Sequence, residues 1–200
     1  MSKLKILRGY MSWIVFALFP NSEVVWAALA GLTIALVLFV LDRRSGIPLD
    51  ALVLDVSTLF FFAVVGITAF AAPHVPLGTW SGALSFGWLA ITAWGSIALQ
   101  QPFTLGMARQ RVTREISEQP AFKQSQTALT RLWAIVFTAT TVLLVVCDAT
   151  HQGTVLSLTA RLAGLGTGAY LTSRHIKASR QRMAASADDR ARLPHLTPKG

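Results

Sequence analysis

Asp148 and His151 stand three residues apart, and with His74 they supply two imidazoles and one carboxylate. Such a set could share a divalent metal or a proton. All three follow apolar runs and fall in short connecting loops, where solvated side chains are the simpler expectation, so no metal is assigned. A second set lies inside apolar segments. Arg161 interrupts "TVLSLTARLAGLGTGAYLT" (154–172), and Asp55 lies about one turn into "ALVLDVSTLFFFAVVGITAFAA" (51–72). An ionisable group within a membrane span is costly and marks a candidate functional site that needs a partner. Asp148 is the partner expected for Arg161, directly or through water. Arg161 lies seven residues beyond Thr154, about 10 Å at 1.5 Å per residue. Its side chain tilts toward the start of its own helix, whereas Asp148, at the end of the preceding antiparallel helix, tilts the other way. Asp55 is the second choice, and with Asp50 it also suits a helix N-terminus.

A third set is Arg109, Arg111 and Arg114, within "QQPFTLGMARQRVTREISEQPAF" (100–122). Guanidinium groups are suited to phosphate, so contact with anionic lipid at a membrane surface is their expected chemistry. Beyond these sets the chemistry is sparse. No HExxH, GxSxG, phosphate-binding loop or dinucleotide fingerprint is present. Neither a catalytic residue nor a cofactor is assigned. The single cysteine, Cys147, excludes an internal disulfide and a CxxC motif. His175 and His195 fall in the basic tail and read as solvated.

The elements that must carry these residues are apolar helices. Hydrophobic residues make up 53% of the chain and charged residues 14%, against about 25% charged in a soluble domain. Four segments have the length and character of transmembrane helices: 24–41, 51–72, 80–99 and 129–147. A fifth, 154–172, contains Arg161, and a short first one, 10–20, precedes them. The expected fold is all-α, a polytopic helical membrane bundle of about six transmembrane helices spanning 1–172. Lys3, Lys5 and Arg8 before the first apolar run resemble a secretory signal, but no polar break follows, and an uncleaved anchor is expected.

Lysine and arginine partition by side. Segments 1–9, 42–50, 100–128 and 173–200 carry nearly all of them, while 21–23, 73–79 and 148–153 carry none. The positive-inside rule then places both termini in the cytoplasm. The net charge of +9 is accounted for by these loops, and no nucleic-acid partner is expected. Trp26 and Trp80 fall at one boundary and Trp13 and Trp133 at the other, as an aromatic belt requires.

Within the cytoplasmic loop 100–128, Leu105, Ala108, Val112 and Ile116 recur at helical spacing, with Thr104 placed to serve as N-cap and Pro120 as the stop. A surface amphipathic helix over 104–118 is expected, its arginines near lipid phosphates. The tail, 173–200, is expected to extend the last helix briefly and then to be largely disordered. Ser81, Ser85, Thr92 and Ser96 approximate one polar face, shared with Trp88. Ala160, Gly164 and Gly168 form a small-residue ridge that favours close helix approach, within the bundle or in a homo-oligomer.

The run Gln101-Pro102-Phe103-Thr104-Leu105, then Ala108-Arg109, with Trp133 downstream, resembles a motif of small bacterial multi-pass membrane proteins. The likeness extends in architecture over about residues 10 to 172. It is similar to the intracellular septation protein A class, which implies an all-helical bundle associated with envelope or division proteins. The function expected is therefore non-enzymatic: an organising or interaction role in the cell envelope, with the bilayer and its anionic lipids as partners. A small-solute or ion transporter using the hydroxyl face with Asp55 or Arg161 is the alternative, followed by a lipid-handling membrane enzyme using Arg109 and its neighbours.

Overall fold

The computed structural model describes residues 11–109, 112–150 and 154–192, and all regular structure among them is helical. The order is α1 (Met11–Leu18), α2 (Val24–Arg44), α3 (Val53–Ala71), α4 (Ser81–Ala98), α5 (Phe103–Arg109), α6 (Arg114–Glu118), α7 (Pro120–Ala149) and α8 (Thr154–Arg192). Single 3-10 turns at Asn21–Glu23 and Leu49–Ala51 precede α2 and α3.

Local sequence explains the boundaries. α2 ends on Arg43 and Arg44, whose charge suits the negative end of a helix. Gly46 follows at φ +79°, with its N–H on the Arg43 carbonyl and the Ile47 N–H on that of Asp42. That is a Schellman closure, which a residue with a side chain would adopt at a cost. Pro120 occupies the first turn of α7, where its missing N–H leaves no intrahelical bond unmade. The break between α4 and α5 is made by Gln100 at φ +56° and by Pro102, and it turns the chain through 79°.

The helices pack around two apolar clusters. In the first, Phe16 of α1, Ala27 and Ala28 of α2, and Phe61, Phe62 and Val65 of α3 come together. Gly31 lies under the Phe62 ring, 2.8–2.9 Å from where a Cβ would stand. In the second, Phe86, Leu89 and Ala93 of α4 meet Phe103 of α5, Ala134, Phe137 and Leu144 of α7, and Ala160 of α8. Trp13 packs against both. Many of the largest apolar side chains point outward instead, among them Phe60, Ile67, Phe70, Ile135, Val142 and Leu162. In water such a surface would aggregate; in lipid it is the expected exterior.

By length and composition, three helices can cross a membrane: α2, α3 and α7. A fourth crossing results if α4 and α5 count as one bent span. This is fewer than the six expected from the sequence. α1 has only eight residues, about 12 Å of helix. α4 is diluted by serine, glycine and tryptophan, and α8 by Arg161 and its glycines. The chain is thus an all-helical membrane protein with three or four segments that qualify.

Two further expectations are corrected. Residues 104–118 do not form one amphipathic helix: α5 ends at Arg109 and a separate short helix starts at Arg114. Thr104 lies inside α5 rather than capping it, and Pro120 opens α7 rather than only closing what precedes it. In the tail the helical extension is longer than the brief one expected. α8 continues through Arg192, because a helix already nucleated on α7 adds one hydrogen bond for each residue it fixes. Residues 193–200, with His195, lie outside the described residues.

Candidate functional site

The bundle has two ends of different chemistry. At one end lie Arg43 and Arg44, the turn Leu49–Ala51, α5 and the start of α7. The "QPFTL" segment is built into this end. Pro102, Phe103, Thr104, Leu105 and Gly106 are all buried. The Thr104 hydroxyl donates to the Gln126 carbonyl at 2.8 Å and lies 2.7 Å from the Thr130 hydroxyl. Thr130 is completely buried. The Phe103 N–H reaches the Ser96 hydroxyl at 3.3 Å. A Cβ on Gly106 would stand 2.8–3.1 Å from the Ala51 backbone. The motif is therefore a bracket that ties the turn before α3 to α7, and the close approach at Gly106 is what its glycine permits. Arg109, at the end of α5, is half-buried. Arg111 and the side chain of Arg114 lie outside the described residues.

The hydroxyl face of α4 divides in two. Trp88 and Thr92 turn toward α3: the Trp88 indole donates to the Ser57 hydroxyl at 2.9 Å, and Ser57 also bonds Thr92. Ser85 bonds the Ser81 carbonyl, and Ser96 bonds the Ala93 carbonyl besides receiving Phe103. On α7, Thr138, Thr140 and Thr141 each bond the carbonyl four residues back. The Ser57–Thr92–Trp88 set thus bonds across the α3–α4 contact, whereas the α7 threonines satisfy their donors on their own helix. On α3, Thr58 bonds both Trp13 and its own helix. Asp55 lies in the first turn of α3, and the side chain of Asp50 lies outside the described residues.

α7 and α8 run antiparallel in close register. Ser125 meets His175, Trp133 meets Gly168, Thr140 meets Gly164, and Asp148 meets Ser157. Cβ atoms on Gly164 and Gly168 would overlap Thr140 and Trp133, and Ala160 is buried in the second cluster. The Ala160–Gly164–Gly168 ridge thus lies against α7 of the same chain.

The charged pair lies at the opposite end, where α7 turns into α8. The Ser157 hydroxyl donates to Asp148 Oδ1 at 3.5 Å. The Arg161 guanidinium, half-buried, is laid on Gly82 in the first turn of α4; any side chain there would overlap Nη2, Cζ and Nε. Arg161 and Asp148 interact electrostatically, yet Asp148 Oδ2 and Arg161 Nε are buried without a hydrogen-bond partner. Asp55 is on another helix and is not the group that faces Arg161. Gly82 and Ser157 carried no signal in the sequence, since a glycine and a serine in apolar helices usually serve packing.

At this end a recess of about 430 Å3, lined by Ser22, Val25, Ala69, Pro73, Pro76 and Thr79 among others, carries no titratable side chain. His74 is exposed, and His151 lies outside the described residues. Among the described residues no three histidine, cysteine or acidic side chains gather as metal ligands would.

Arg161→Leu and Asp148→Leu are expected to be strongly non-additive in a double-mutant stability cycle. Either change leaves a charge without its counterpart, and the coupling should reach about 1–3 kcal/mol. Additive effects would show that the two charges do not sense each other in the folded protein.

Comparison of the chain with known protein families, curated proteins and solved structures found no match.

Proposed function

We propose that this chain is a non-enzymatic bacterial inner-membrane protein that organises or supports other envelope components, in the manner of the septation protein A class its "PFTL" segment resembles. The observation that carries the reading is how interior polar groups are used. Ser57, Thr58, Trp88, Thr92, Thr104 and Thr130 bond one another or nearby backbone across helix contacts. A transporter would instead need such groups turned to a shared cavity. Polar groups spent on helix contacts in this way support interaction through the helical body as the role.

The proposal includes a topology. Both termini lie in the cytoplasm, α8 recrosses the membrane alongside α7 despite Arg161, and the basic end contacts anionic lipid. Reporter fusions after Leu99 and Gly200 should then score as cytoplasmic, and fusions after Pro76 and Gln152 as external. An external signal at Gly200 would overturn the return of α8. For the function itself, affinity capture of the full chain from native membranes should recover a reproducible envelope or division protein. Capture that returns only lipid, together with uptake or release of a solute by reconstituted protein, would replace this reading with transport.

A further inference from the structure

Among the described residues Arg161 stands apart from the other cations, which fall in 42–50, 100–131 and 173–192, away from the end where α7 turns into α8. That end holds an arginine and a nearby carboxylate that sense each other electrostatically, though neither Arg161 Nε nor Asp148 Oδ2 has a hydrogen-bond partner. Ser157 holds Asp148 through Oδ1, and Gly82 holds the guanidinium against α4. Each charged group keeps a buried atom unbonded. Buried polar groups are rarely left so, and each such group calls for a partner or a role to account for it. The depth is also specific: Arg161 is seven residues, about 10 Å, below the start of α8, and an arginine reaches outward from there to headgroup level. A fixed cation and a fixed anion side by side, with no net charge, complement a molecule that carries an anion and a cation a few ångströms apart.

We propose that Arg161, Asp148 and Ser157 form a binding site for a zwitterionic aminophosphate, presented by the headgroup of an aminophospholipid at the membrane boundary. The guanidinium receives the phosphate, and the Asp148 carboxylate accepts hydrogen bonds from the primary ammonium. Gly82 is a positioning residue, since only a glycine lets the guanidinium lie flat on α4. An anionic lipid satisfies Arg161 but meets Asp148 with like charge. A trimethylated ammonium keeps its charge but has no N–H to donate. Both should bind less well. The inference rests on this end lying at a membrane surface, which the fusions after Pro76 and Gln152 test separately.

The experiment uses the full chain in detergent, stripped of lipid and titrated with phosphatidylethanolamine, phosphatidylcholine, phosphatidylglycerol or soluble glycerophosphoethanolamine, with bound states counted by native mass spectrometry. Phosphatidylethanolamine should bind best. Arg161→Leu and Asp148→Asn should each lower its affinity about tenfold or more, as loss of a charged hydrogen bond predicts. Gly82→Ala, which keeps both charges but displaces one, should reduce the selectivity. Gly95→Ala, where an added Cβ meets nothing, should not. Binding of the soluble headgroup at similar affinity would support the same site with a free metabolite as its ligand. Equal binding of phosphatidylcholine, Arg161-dependent binding of phosphatidylglycerol stronger than that of phosphatidylethanolamine, or unchanged binding by folded Asp148→Asn would each overturn the proposal.

Discussion

Replacing Gly106 by valine should detach the "QPFTL" bracket and destabilise the protein by about 3 kcal/mol or more, the upper end of the range for overpacking a tight contact. The size follows from what the new side chain would meet. Its Cβ would lie 2.8 Å from the Ala51 Cα and 2.9 Å from the Ala51 carbonyl oxygen. Backbone cannot rotate away as the tip of a side chain can. Ala51 and Leu52 are themselves buried, so the turn has no free space to retreat into. Gly106→Ala should already show most of the loss. Gly95→Ala is the control, because nothing lies within 4 Å of a Cβ there and alanine is the better helix former. Thermal unfolding of the purified variants, followed by circular dichroism, distinguishes the outcomes. A Gly106→Val protein as stable as its parent would mean that α5 does not dock on the turn at Leu49–Ala51.

Gly164→Leu combined with Gly168→Leu should separate α8 from α7 along the length of their contact. At Gly164 the added group meets Thr140, whose own Cβ lies 3.2 Å from the new one. At Gly168 it meets the Trp133 ring at 2.5–3.0 Å, and that ring is backed by Phe137 at a centroid distance of 5.2 Å. Each site should lose about 1–3 kcal/mol, and because both act on one interface the losses should not simply add. Gly166→Leu, between them, faces open space and should leave stability unchanged or slightly raised. A protein engineered to cross-link Ser125 to His175 through cysteines would give a second readout, with the double variant losing the cross-link. If Gly166→Leu proved the damaging change instead, the face of α8 in contact with α7 would be misassigned.

Much of the helical layout is legible in the amino-acid sequence, and for a simple reason. A membrane segment must satisfy every backbone group internally, so long apolar runs can only be helices. α2, α3 and α7 follow from that rule. That Asp148 and Arg161 lie at the same end of the chain's last helical hairpin is also legible there, because helical rise and side-chain tilt are properties of the chain itself. What the sequence could not supply is which polar residue meets which. The hydroxyl face of α4 reads as one stripe in projection, but α3 takes Trp88 and Thr92 while Ser85 and Ser96 bond backbone within or just beyond α4. The "PFTL" segment has the periodicity of a surface helix. Its apolar side in fact docks on protein, because Gln100 and Pro102 turn it through 79° onto Ala51 and Thr130.

Periodicity reports that a face is apolar, and it is blind to whether lipid or another helix covers it. The sequence by itself determined that this chain is helical, membrane-seeking and charged at one end. The tertiary structure alone decided that Gly106 and Gly82 are points of close approach, and that the Gly164–Gly168 ridge meets α7 of the same chain. Such contacts join residues far apart in the chain, and their energy depends on what the second helix presents.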